Sequence, residues 1–172
     1  MIYKPQRVVL TCGIGRAEKQ LVSFEMALRS AGIAGFNLVI VSSILPANVI
    51  PDFNKELFER IEAGSIIHCV MSRCHSNENN RLLSSAIGVA FHDAQQIAFL
   101  DKSIGLRDRY GYISEYHAYG ETKENTGKES EEIAKEMLST IKGDNNFNSM
   151  NISESAVVDN EWTTVVAAAI LI

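Results

Sequence analysis

Two serines, Ser42 and Ser43, stand side by side after the apolar stretch Asn37-Leu38-Val39-Ile40-Val41 and shortly before Pro46. Burying a hydroxyl without a partner costs about 1–3 kcal/mol, so such a pair either finds local hydrogen bonds or is placed there for chemistry. The chemistry open to it is self-cleavage. The Ser43 hydroxyl attacks the Ser42 carbonyl, the acyl group shifts from nitrogen to oxygen, and β-elimination cuts the chain, leaving dehydroalanine at residue 43. Hydration and loss of ammonia then leave a pyruvoyl group. Cutting the 172-residue chain after residue 42 gives fragments of 42 and 130 residues, a β chain 1–42 and an α chain 43–172. Strain in the peptide and an oxyanion donor would both assist the shift. Ser84-Ser85 is a second pair, so adjacency alone leaves the structural and the chemical readings open.

The elements that must position these groups can be read from periodicity. Val8 to Cys12 reads as a strand that ends at a tight turn, Gly13-Ile14-Gly15. A helix follows with Leu21, Phe24, Leu28 and Ala31 on one stripe, and Gly32 closes it. Phe36 to Leu45 is rich in β-branched residues and reads as one strand stopped by Pro46. Asp52 to Ala63 reads as a short amphipathic helix capped by Asp52, with Phe53, Leu57, Phe58 and Ile61 inward. Ser65 to Cys74 and Leu82 to Phe91 flank a polar stretch, which suggests a hairpin. A strand over Tyr110 to Tyr119, a helix over Glu129 to Ile141, a polar loop over 144–149 and two strands, Met150 to Val157 and Thr163 to Ile172, complete the chain. Strands outnumber helices, so the expected fold is an α/β, αββα-type sandwich with a mostly antiparallel or mixed sheet core in a single domain spanning 1–172.

From Gly13 onward the motifs resemble, in order, those of the pyruvoyl-dependent arginine decarboxylase family. They are Gly13-Ile14-Gly15, Ser23-Phe24-Glu25-Met26-Ala27-Leu28 with Ala31-Gly32-Ile33, Asn37-Leu38-Val39, Val41-Ser42-Ser43-Ile44-Leu45-Pro46, Ser85-Ala86-Ile87-Gly88-Val89-Ala90 and Gly111-Tyr112-Ile113-Ser114-Glu115-Tyr116. The stretch from Asn37 to Pro46 is the most specific. The resemblance implies self-processing at Ser42-Ser43 and a covalent pyruvoyl cofactor made from Ser43. It implies decarboxylation of arginine to agmatine, as in polyamine supply, with Glu115 as proton donor. It also implies an oxyanion role for Asn37 in processing and a homotrimer, or dimer of trimers, with sites between subunits. Glu25 stands where the family has an aspartate that recognises the guanidinium group, so Glu25, with Leu21 a turn before it, is the substrate-binding candidate. The extra methylene of Glu25 still permits paired bonds to a guanidinium and keeps another cationic amino acid open as substrate. An unprocessed, non-catalytic binding protein is the alternative of a different class.

In a regular strand Asn37 and Ser43 face the same way but lie about 20 Å apart, so a bend or a neighbouring subunit must bring them together. Glu115 shares a strand face with Ile113 and His117, where an apolar neighbour would favour the protonated carboxyl. His68, Cys69, Cys74 and His75 resemble a metal cluster in composition, but along one strand Cys69 and Cys74 face opposite sides, so no metal is expected. The Gly13-Ile14-Gly15 motif falls short of a dinucleotide fingerprint because Glu18 occupies the third glycine position. Tyr110, Tyr112 and Tyr116 are expected to pack against a helix. A net charge of −5 without a Lys/Arg cluster excludes nucleic acid as the natural partner. Three cysteines suit reduced thiols and a cytoplasmic location, and the longest apolar run, Val165 to Ile172, is too short to span a bilayer.

Overall fold

The computed structural model describes residues 3–92, 110–141 and 147–172. Eight strands within them form two four-stranded sheets. The first has the order β1 (Val8–Ala17), β8 (Trp162–Leu171), β4 (Ile66–Ser76), β2 (Asn37–Ile40), with only the β2–β4 pair parallel. The second, wholly antiparallel, has the order β3 (Ile44–Leu45), β6 (Gly111–Tyr119), β5 (Leu82–Phe91), β7 (Asn148–Val157). Helix α1 (Gln20–Ala31) covers the first sheet and α2 (Lys123–Ser139) the second. This is the expected αββα sandwich.

The core follows from alternation. Leu10, Val70, Ala167 and Ala169 of the first sheet meet Ile87, Val89 and Ile113 of the second. The opposite faces of β1 and β8, through Val9, Val166, Ala168 and Ile170, pack on Ala27, Leu28 and Ala31 of α1. Both faces of β8 are covered, which explains its unbroken apolar run. Buried serines tie the layers together. Ser72 Oγ donates to the Tyr116 carbonyl at 2.7 Å and Ser85 Oγ to the Val165 carbonyl at 3.0 Å, each bond running from one sheet to the other.

Several sequence expectations need correction. β1 does not turn at Gly13-Ile14-Gly15 but runs through it, and the two glycines let α1 lie directly on the strand. A Cβ at Gly15 would sit 2.0 Å from the Ser23 carbonyl oxygen, and one at Gly13 would sit 2.3 Å from that of Ala27. The single strand expected over Phe36 to Leu45 is two short strands in different sheets. Ser65 to Cys74 and Leu82 to Phe91 do not form a hairpin either, since β4 and β5 lie in opposite sheets. The helix expected over Asp52 to Ala63 shrinks to a 3-10 turn, Lys55–Arg60, capped by Asn54. Asp52 cannot start a helix because its backbone bonds both Val8 and Leu10 of β1, and Phe53 is exposed. Helix α2 begins six residues before the expected start at Glu129, at a Thr122 cap, and Gly127 lets its first turns approach Asn151 and Ser153 of β7. The polar loop at 144–149 falls partly outside the described residues.

Gly15→Ala is expected to lower stability by about 1–3 kcal/mol or more, since backbone must move to admit the methyl group. Gly64→Ala, at φ +87° with open space around it, should cost only about 1–2 kcal/mol of left-handed strain. Urea melts of the two variants test the ordering.

Candidate active site

The break between β2 and β3 falls on the serine pair. Val41 N–H still donates to the Cys69 carbonyl of β4, at 2.9 Å, whereas the Ser43 carbonyl accepts from Ile113 N–H of β6, at 2.7 Å. Ser42 is therefore the one residue between anchorage to one sheet and anchorage to the other, and it is exposed. Neither serine hydroxyl has a hydrogen-bond partner among the described residues. The second pair behaves differently. Ser84 Oγ lies 2.6 Å from Thr126 Oγ1 of α2, and Ser85 bonds β8 as described above. Both of those hydroxyls are fully buried cross-links.

Beside the crossing lies a cavity of about 660 Å³ whose walls include Phe24 of α1, Asn37 of β2, Met71 and Arg73 of β4, and Glu115 and His117 of β6. Two of the sequence-derived candidates, Asn37 and Glu115, thus share one cavity. Ser43 stands opposite Ile113, two positions along β6 from Glu115, a spacing of roughly 7 Å along the strand. Ser42 and Ser43 are not among its wall residues, although Ile40, two residues before the pair, is. The Asn37 amide donates to the Gly64 carbonyl at 2.7 Å, which fixes it at the start of β2. Glu115 is exposed, so its own chain does not supply the apolar enclosure expected for it.

Glu25 is half-buried on α1 next to Phe24, and its carboxylate pairs with Arg29 at 2.9 Å. Leu21, expected on the buried stripe, is instead 77% exposed. It lines a smaller adjoining cavity of about 250 Å³ with Phe24, Arg73 and His75. Arg73, whose guanidinium lies 4.6 Å from the Phe24 ring centroid, is a wall residue that the sequence reading passed over. Its signal was present, since Met71 and Arg73 alternate on the same face of a strand. His117, to which no role was assigned from sequence, shares the wall with Glu115.

Cys69 packs toward α1 and Cys74 between the sheets, on opposite faces of β4 as the alternation requires. Tyr112 packs against Ala134 and Leu138 of α2 with Tyr110 edge-on to it, in keeping with the packing role expected of them.

The layout defines a class: an α/β sandwich in which a serine-serine peptide bridges the two sheets beside a cavity with a carboxylate on its wall. Comparison with known proteins makes this specific. The family model described as pyruvoyl-dependent arginine decarboxylase matches residues 7–172. A pyruvoyl-dependent arginine decarboxylase of Methanocella arvoryzae is 42% identical, covering 98% of this chain and 96% of its own. One of Thermoplasma volcanium is 41% identical, covering 99% and 97%. A probable pyruvoyl-dependent arginine decarboxylase of Chloroherpeton thalassium is 39% identical over the whole of both chains. The chain belongs to the pyruvoyl-dependent arginine decarboxylase family, a family of lyases with a covalently bound pyruvoyl cofactor. The residues fit such a group, because Ser43 holds an unengaged hydroxyl on an accessible turn beside Glu115. Among the described helices none is long and apolar enough to cross a membrane.

Burial pushes the Cys69 thiol up to about 11, and burial raises Cys12 and Cys74 as well, so the nucleophilic thiolate is suppressed at neutral pH. Iodoacetamide at pH 7.5 should leave Cys69 unlabelled in the native protein and alkylate it after denaturation. Peptide mass mapping distinguishes the two, and rapid native labelling would contradict this burial.

Proposed function

We propose that the chain cleaves itself between Ser42 and Ser43, that Ser43 becomes the pyruvoyl group, and that the processed enzyme converts L-arginine to agmatine and carbon dioxide. The observation that carries this reading is the sheet-to-sheet crossing at the serine pair, with Asn37 and Glu115 on the wall of the adjoining cavity. When present, the pyruvoyl ketone accepts the electron pair left behind as carbon dioxide departs. The protein's task is then to seat the amino acid, hold its cationic end and deliver one proton. Glu115, exposed to the cavity and near Ser43 along β6, is the proton source. Glu25 receives the guanidinium in exchange for Arg29, and Leu21 flanks the aliphatic stem. Asn37 serves in processing.

The same reading makes the active unit a homotrimer, or a dimer of trimers, with sites completed between subunits. Exposed apolar residues at the open edge support it. Val39, Ile40 and Ile44 lie uncovered near the crossing, and Ile66 is exposed further along the same edge, opposite Asn37; a second copy seated there would supply the enclosure Glu115 lacks. The cytoplasm suits an enzyme with three free thiols. A second reading, decarboxylation of a different cationic amino acid by the same chemistry, rests on Glu25 standing where the resemblance implies an aspartate, since the extra methylene changes the length of the pocket.

Intact mass of the denatured protein tests processing. Two fragments, 1–42 and 43–172, are expected, the larger beginning with a carbonyl in place of an amine. Ser43→Ala should stay whole. A single uncut chain from the wild type would remove the cofactor and favour a non-catalytic binding protein.

Carbon dioxide release from arginine, lysine and ornithine separates the substrates, and activity on lysine or ornithine alone would overturn arginine. Glu115→Gln is expected to process normally yet lose roughly 100- to 10,000-fold in kcat. Glu25→Gln should raise KM for arginine about 10- to 100-fold, the loss of one charge-assisted pair, while Arg29→Ala should lower it. An unchanged KM in both variants would remove Glu25 from the site.

A further inference from the structure

A third cavity, of about 340 Å³, shares no wall residue with the large one beside the serine pair. Strand ends from both sheets meet in it. His75 lies near the end of β4, Trp162 opens β8 and Tyr119 closes β6. Tyr119 is six positions along β6 from Ile113, the partner of Ser43, or roughly 20 Å away. The rest of the wall is the connection from β4 to β5, with Asn77, Glu78 and Arg81. That connection is pinned at several points. Glu78 N–H donates to Ser76 Oγ at 3.0 Å, and Asn80 N–H to the Val158 carbonyl at 3.0 Å. Asn79 Nδ2 donates to Asn160 Oδ1 at 2.9 Å, and Asn79 Oδ1 accepts from Asn160 N–H at 2.6 Å. The cleft is therefore preformed, which lowers the ordering cost of binding in it.

Its chemistry is displayed by its own Arg81. The guanidinium lies 5.5 Å from the Tyr119 ring centroid and donates through Nε to Glu78 Oε2 at 2.8 Å, with a second bond from a terminal nitrogen to the same oxygen. A planar cation on an aromatic face with a carboxylate at its edge is an arrangement that guanidinium groups favour. The tether leaves it incomplete. Both bonds fall on one oxygen, so Glu78 Oε1 has no partner among the described residues, and the Asn77 amide has none either. Trp162, with the His75 ring 6.0 Å away, is a second aromatic wall over which none of the described cations stands. Burial, helped by the charges of Arg73 and His117, lowers the His75 pKa, so that ring is neutral at pH 7.5 and does not repel a cation. The Arg81 and Glu78 side chains are 44% and 64% exposed, and ion pairs so exposed are weakly held.

We propose that this cleft is a second ligand site, one that takes an alkylguanidinium, arginine or agmatine, against Glu78 and between Tyr119 and Trp162, with Arg81 swinging out to solvent. An untethered guanidinium lies edge-on to the carboxylate and uses both oxygens, the paired geometry that Arg81 does not reach from three residues away. Its aliphatic stem covers the Trp162 ring. The association is non-covalent and does not depend on whether the chain is cut at the serine pair.

Trp162 is the only tryptophan of the chain, so its fluorescence reports on this cleft. Titration of the purified full chain with agmatine, at constant ionic strength, should give a saturable change. Half-saturation is expected near about 1 mM, because a short tether holds Arg81 at an effective concentration of roughly that order. Glu78→Gln should weaken binding about tenfold or more, through loss of a charge-assisted pair. Arg81→Ala should tighten it about three- to tenfold, since the variant removes the competitor, an effect that a merely structural Arg81 would not produce. Putrescine, with an amine in place of the guanidinium, should bind about threefold more weakly or worse. L-Arginine is titrated into the Ser43→Ala chain, which has no pyruvoyl group to turn it over, and the tighter of arginine and agmatine identifies the ligand. Circular dichroism and melting temperature check the fold of each variant, all of them altered at exposed positions. An absent or unsaturable change in the wild type would overturn the site. So would a signal that Glu78→Gln leaves within about twofold, which is binding in the catalytic cavity alone, or weaker binding in Arg81→Ala. Equal affinity for putrescine would overturn the guanidinium assignment. Failure of the processing reading appears separately, as an uncut chain in the intact mass.

Discussion

The architecture hangs on the passage of the chain from one sheet to the other within three residues. Two sheets packed face to face stand roughly 10 Å apart, and the segment from Val41 to Ser43 must cover that gap while anchored at both ends. Val41 is bonded to β4 and Ser43 to β6. Between those anchors the chain has almost no freedom, so the backbone dihedrals around the Ser42-Ser43 peptide are set by the spacing of the sheets. The buried serine cross-links that run between the sheets, Ser72 to β6 and Ser85 to β8, hold that spacing. Hydroxyls that stitch the sandwich thus bear, at a distance, on the peptide bond proposed for cleavage.

The cavity depends on the same passage. β2 leaves its sheet after only four residues, and β3 contributes only two to the other. The sandwich is consequently open at this edge, and the opening is walled by whatever the neighbouring strands carry. β6 supplies Glu115 and His117, β4 supplies Met71 and Arg73, and α1 reaches over with Phe24. A longer β2 continuing in register with β4 would close the edge and bury the serine pair in a ladder. Short strands are here the condition for having a site.

Much of the fold was legible in the sequence, and what was not has specific causes. Alternating and 3.6-residue patterns located the strands and the stripe of α1, since those patterns record burial directly. They could not record which sheet a strand joins. β4 and β5 carry the same apolar character whether they form a hairpin or face one another across the core, and Phe36 to Leu45 reads as one strand because the crossing residues are as β-prone as the strands on either side. Glycine was ambiguous for a related reason. Gly13 and Gly15 mark a helix pressed onto a strand, a contact made with residues further along the chain, and nothing local separates that from a turn. The site residues were legible chiefly through the family resemblance. Among the wall residues, Arg73 followed from strand alternation but was overlooked because nothing in sequence joins β4 to α1.

The two serine pairs show what residue identity can and cannot say about function. Ser42-Ser43 and Ser84-Ser85 are the same dipeptide, each beside β-branched or aliphatic neighbours. In the second, each hydroxyl meets a hydrogen-bond partner across a layer, and the backbone is spent in ladders on both sides of β5. A hydroxyl so held lacks the freedom to turn on its own preceding carbonyl, and that carbonyl is locked in a sheet. In the first, the side chains hold no such bonds, one carbonyl faces β6, and the other is met by an N–H from only two residues on. The difference lies in what the backbone on either side is doing. A serine becomes a candidate for chemistry when the sheet that surrounds it has run out of partners for it.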